Sequence, residues 1–118
     1  DMKKNLINST SNGTNHVIIG PAEANTGNMN IIIHSLYVVN TDTTSVGIDL
    51  YLSSDAGATV HIPILDGIKI GIGYTLDVFE NTPFEYSDDY GLFFKMTNGA
   101  FTAQITGNYS TSQRIQVS

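Results

Sequence analysis

Three histidines and one crowd of carboxylates are the side chains in this sequence with chemistry to offer. His16, His34 and His61 each stand alone on an expected strand, with no HxH or HExxH spacing. A zinc site needs ligands that converge, and close sequence spacing is the usual sign of it. The histidines therefore read as hydrogen-bonded or surface groups. His34 and His61, among apolar neighbours, are placed to tune an interface with pH. Asp77, Glu80, Glu85, Asp88 and Asp89 put five of the eleven acids within residues 77–89, with no base among them. Calcium requires several oxygens at roughly 2.3–2.6 Å, and the EF-hand frame of alternating acids before a glycine is absent. A loop-built calcium site stays open, but a solvated acidic edge or a docking face for a basic partner is the favoured reading. Paired carboxylates also serve glycoside hydrolysis. This chain has no Trp for sugars to stack on and is short for a deep cleft. Gly71-Ile72-Gly73 lacks the third glycine and the following helix of a dinucleotide fingerprint. No GxSxG nucleophile elbow occurs. No catalytic, cofactor-binding or metal-binding set emerges, so a non-enzymatic role is expected.

The elements that would position any site must come from 118 residues. That is one domain, and a domain this size buries roughly 65% of its unfolded surface. The chain contains no Cys, so neither disulfides nor thiolate zinc sites contribute. Five basic against eleven acidic residues give a formal net charge of −6. Nucleic-acid binding needs clustered Lys and Arg. Lys3 and Lys4 sit together, but Lys69, Lys95 and Arg114 are scattered. Neither a nucleic acid nor an anionic membrane is expected as a partner. No apolar run approaches the ~20 residues of a membrane helix, and no signal peptide is expected at the start. Only 14% of residues are charged, and the surface is instead rich in Asn, Thr, Ser and Gly, as suits turn-rich β proteins.

Residues 1–29 read as an N-terminal arm with short strands, and residues 30–118 as the main domain. Strands are expected at 16–20, 30–40, 46–53, 58–64, 74–79, 84–86, 90–96 and 101–109, with a last short one near Ile115 and Val117. NTDTTS after Val39 and Asn98-Gly99 read as hairpin connections. The three glycines of LDGIKIGIGYT suggest a bend between sheets. Eight or nine short strands at spacings of about 8–12 residues, without a helix, make an all-β single-domain β-sandwich, jelly-roll or Ig-like.

Two strands are apolar on both faces. In IIIHSLYVVN, residues 31–40, strict alternation leaves Ile32, Leu36 and Val38 opposite Ile31, Ile33, Tyr37 and Val39. Phe93 lies opposite Leu92 and Phe94; Tyr51 and Phe79 likewise sit on outer faces. Burying ~100 Å² of each at ~25 cal/mol/Å² is worth about 2.5 kcal/mol per residue. Ile32, Leu36, Val38, Tyr51, Phe79 and Phe93 are therefore the expected interface, with homo-oligomerisation or docking onto a larger assembly as the expected use.

The run HSLYVVNTDTTSVGIDLYL (34–52), then ATVHIPI, then YTLDVFENTPFEYSDDYGLFFKMTNG (74–99), resembles the small all-β virion structural proteins of tailed bacteriophages. The resemblance covers about residues 30–109 and rests on structural motifs. It implies a sandwich that decorates a capsid or completes a neck or tail, located in the virion, with other virion subunits as partners and no active site. It also implies an arm that reaches onto a neighbour. The alternative expectation is a surface-exposed, Ca-assisted carbohydrate-binding β-sandwich module.

Overall fold

The computed structural model describes residues 5–11, 16–20, 29–98 and 101–113. These residues form nine strands and no helix: β1 (Asn5–Ser11), β2 (His16–Ile19), β3 (Met29–Asn40), β4 (Val46–Ser53), β5 (Ile62–Ile70), β6 (Thr75–Asp77), β7 (Phe84–Ser87), β8 (Gly91–Met96) and β9 (Ala103–Gln113). One antiparallel sheet runs β1-β9-β3-β6, with β7 paired to the other half of β3; the second runs β2-β8-β4-β5. The expected all-β sandwich is what forms, and its strand order is that of a jelly-roll winding.

The alternating apolar residues of both sheets meet in one core. Ile7, Ile31, Ile33, Leu36, Val38, Ala103 and Ile105 come from the first sheet; Ile19, Val46, Ile48, Leu50, Leu52, Leu92, Phe94 and Met96 come from the second. Within residues 1–29 the described segments are two short strands that join the sheets. β1 pairs with β9 along its whole length, β2 pairs with β8, and Ile7 and Ile19 are buried in the common core.

Two connections expected as hairpins instead carry the chain from one sheet to the other. β3 and β4 lie in different sheets, as do β8 and β9. Gly99 lies outside the described residues, while the Phe101 amide donates to the Asn98 carbonyl at 3.0 Å. At the first crossing, buried Asn40 organises the corner. Its Nδ2 donates to the carbonyls of Thr44 (2.9 Å) and Ile70 (3.0 Å), and its Oδ1 accepts from the Asp42 amide (2.7 Å). The expected strand at 58–64 also moves. β5 begins at Ile62 and continues through the glycine-containing LDGIKI segment to Ile70, where a bend between sheets was expected. Gly67, at φ +64, and two register shifts against β4 absorb the irregularity within one strand. Ile115 and Val117 lie outside the described residues.

The doubly apolar stretch of β3 is explained by a bulge. Against β9, Ile33 pairs with Tyr109 and Ser35 with Asn108, which leaves His34 as the extra residue. One extra residue reverses the alternation. Ile31 and Ile33 point into the core before it, and Leu36 and Val38 after it.

Candidate functional site

Four of the six expected interface residues are interior. Leu36 and Val38 belong to the main core for the reason just given. Tyr51 and Phe93 do point away from that core, yet both are buried. They face each other across β4 and β8, with ring centroids 5.9 Å apart. Residues 54–61 cover them. The Tyr51 hydroxyl donates to the Gly57 carbonyl at 2.9 Å. A Cβ on Gly57, at φ +88, would stand 2.9 Å from Cδ2 of Phe93. The outer face of the second sheet thus carries its own small apolar cluster. Burial raises the Tyr51 hydroxyl pKa, and Asp49 and Asp55 add to the effect. Ile32 and Phe79 are half-buried. Phe79 stacks on Phe84 at 4.7 Å and packs against the core from the β6–β7 connection.

The five acids lie on β6, on β7 and in the turns beside them, along the side of β3 away from β9. Asp77 Oδ1 accepts from the Glu80 amide at 3.1 Å, Glu85 Oε2 accepts from Asn30 Nδ2 at 2.7 Å, and Asp89 Oδ2 accepts from the Ser87 hydroxyl at 2.9 Å. Asp88 is buried, contrary to its expected place on a solvated edge. With Tyr109 it adds to the effect of burial in holding the Tyr86 hydroxyl well above the usual phenol range. The histidines are dispersed. His16 stacks on Phe94 at 5.3 Å, His34 Nε2 lies 2.7 Å from Ser110 Oγ, and His61 Nδ1 accepts from the Ser54 amide at 3.2 Å. Among the described residues, no three His, Asp or Glu side chains gather where they would hold a metal.

The exposed apolar surface lies elsewhere. Val60, Ile62, Ile68, Ile72 and Tyr74 run along β5 and the segments that flank it, and Ile72 and Tyr74 are 60% and 70% exposed. Two shallow cavities open beside this stripe. One of about 250 Å³ is lined by Asp49, Tyr51, Val60, Pro63, Leu65 and Asp66; the other, of about 330 Å³, lies between the end of β5 and β6. On the opposite side of the sandwich, Leu6 of β1 and Val17 of β2 are exposed. The β5 stripe was readable in principle. Pro63 and Gly67 mark an edge strand, and an edge strand leaves its apolar residues half uncovered.

No protein-family model and no curated protein matches this sequence. A solved structure does: a chain from Bacillus endospore appendages, which form a family of disulfide-linked pili, superposes with a TM-score of 0.55. The two share 16% sequence identity over 98% of this chain and 88% of that one. At that identity the likeness is one of fold.

Proposed function

We propose that this protein is a non-enzymatic structural subunit that associates with copies of itself in an extracellular, pilus-like appendage. One observation carries the reading: Val60, Ile62, Ile68, Ile72 and Tyr74 stay exposed along β5 and the segments beside it. Five apolar side chains along one edge are more than the scattered exposed residue that any surface holds. The fold likeness to a chain of appendage pili supports the setting. The reading keeps the structural role expected from the sequence and moves it from a virion to an appendage, because the fold comparison lies there. The 118 residues contain no Cys, so they form no disulfide, unlike the linkage for which those pili are described.

The test is sedimentation velocity and negative-stain microscopy on the purified chain over a rising concentration series. Concentration-dependent assembly is expected. A double variant, Ile72→Asp with Tyr74→Asp, should keep the melting temperature and assemble at least about tenfold more weakly. A strict monomer at every concentration, or a double variant that assembles like the parent, overturns the proposal.

A further inference from the structure

The sandwich ends in several strand edges beyond which no further strand pairs among the described residues, and all but one are blunted. β2 has four residues and a register shift between Val17 and Ile19. β5 carries Pro63, Asp66 and Lys69, a left-handed Gly67 and two register shifts. β6 and β7 have three and four residues, and positive-φ Glu80 and Asn81 lie between them. Proline, charge, bulges and shortness are the devices by which edge strands avoid pairing with other chains. β1 has none of them. Its seven residues, Asn-Leu-Ile-Asn-Ser-Thr-Ser, hold unbroken register against Tyr109 to Ala103 of β9 and include no proline, glycine or charge.

We infer that β1 pairs antiparallel with β1 of a second copy across a two-fold axis at Asn8, joining the two β1-β9-β3-β6 sheets into one. This deepens the self-association proposed above and rests on it. The occupant is a second copy for two reasons. The chain carries a net charge of −6, so two copies repel wherever charged surfaces meet, and β1 is an uncharged edge at which they can close. The strand also matches itself. Asn8 is its midpoint, so a two-fold there pairs all seven residues, Asn5 with Ser11 through to Ser11 with Asn5. An axis on a residue also keeps like faces together. Ile7, turned into the core, falls opposite Ser9 of the partner. Exposed Leu6 falls opposite Thr10 of the partner, whose methyl covers part of it. Asn8 meets Asn8 on the outer face, beside its own bond from Gln104 Nε2. A two-fold interface of this kind uses the same patch on both copies and needs no second complementary surface. The main-chain ladder supplies the affinity, as in other strand additions.

The absence of cysteine makes the test direct. Asn8→Cys and Asp89→Cys are prepared as single-cysteine chains, both at exposed positions. They are oxidised at a concentration where the parent assembles, and the rate of covalent dimer formation is read on a non-reducing gel. Asn8→Cys should cross-link at least about tenfold faster than the collision control at Asp89. A second variant, Asn8→Lys, places like charges opposite each other at the axis. It should weaken the dimer by about tenfold or more, with the melting temperature unchanged. Assembly without preferential cross-linking at residue 8, or with full tolerance of Asn8→Lys, overturns β1 pairing and leaves self-association standing. No assembly of the parent at any concentration overturns both.

Discussion

Gly107 shows how closely two backbones pass in this sandwich. It lies on β9 opposite Leu36, at the point where β3 bulges around His34. A Cβ there would overlap the Ser35 carbonyl oxygen, sit 2.9 Å from its carbon and 3.1 Å from Leu36 Cα. These are main-chain atoms, which cannot turn aside as a side-chain end does. Gly107→Ala is therefore expected to destabilise the fold by about 2–3 kcal/mol, the usual cost of overfilling a tight site. Urea unfolding measures it. An unchanged midpoint would mean that the strands do not approach here, and the bulge assignment would fall with it. The same residue bears on what was legible beforehand. A glycine inside an alternating strand marks close approach of another backbone. Read that way, the TGN of Thr106 to Asn108 pointed to an irregular neighbour. Without the bulge, strict alternation placed Leu36 and Val38 outside; with it, they are core. The apolar content of β3 was evident from residue types, but the inserted residue depends on the partner strand.

At the scale of elements, the segment between β4 and β5 is the feature least visible in the sequence. Residues 58–61 have the β-branched character of a strand, yet they belong to a cover over Tyr51 and Phe93. Polar residues shape that cover. The Ser53 hydroxyl donates to Asp55 Oδ1 at 2.6 Å and accepts from the Gly57 amide at 3.2 Å, while the Thr59 amide donates to the same carboxylate at 2.8 Å. The Ser53 hydrogen bond, with those from Thr59, lowers the Asp55 pKa from 3.8 to about 2. A carboxyl whose folded pKa is depressed binds its proton more weakly in the folded chain than in the unfolded one. Its contribution to stability is complete above the unfolded value, near pH 4, and vanishes as pH falls through the folded value. Asp55→Asn should therefore melt below the parent at pH 6, with the gap closing as pH falls from about 4 to about 2. Paired thermal melts across that range measure it. A gap that stays constant would show that the carboxylate's charge has no part in holding the cover. The strands themselves were easier to read: Val46 to Ser53 alternates cleanly and is β4. Which face was covered was not, because the cover is built of turn residues with no periodicity.

Over the whole molecule, charge and apolar surface oppose each other in any self-association. The net charge of −6 and a pI near 4.6 follow from composition, so both were legible from the start. Composition does not place the charges, and five acids close in sequence proved to be spread over β6, β7 and their turns, with Asp88 inside. If copies meet through the β5 stripe and the β1 edge, the contacts themselves are apolar and main-chain. The net charge then acts only as a repulsion between whole subunits. Salt screens repulsion over a Debye length of about 10 Å at 0.1 M and about 3 Å at 1 M, and does little to apolar or main-chain contacts. Raising sodium chloride from about 50 to about 500 mM should therefore tighten association several-fold. A subunit held to a basic partner by its acids would show the reverse, because the same screening would weaken the attraction. Sedimentation equilibrium at the two salt concentrations separates the cases. A dissociation constant that rises with salt would mean that opposite charges hold the copies together, and the apolar stripe and neutral edge would then be bystanders to assembly.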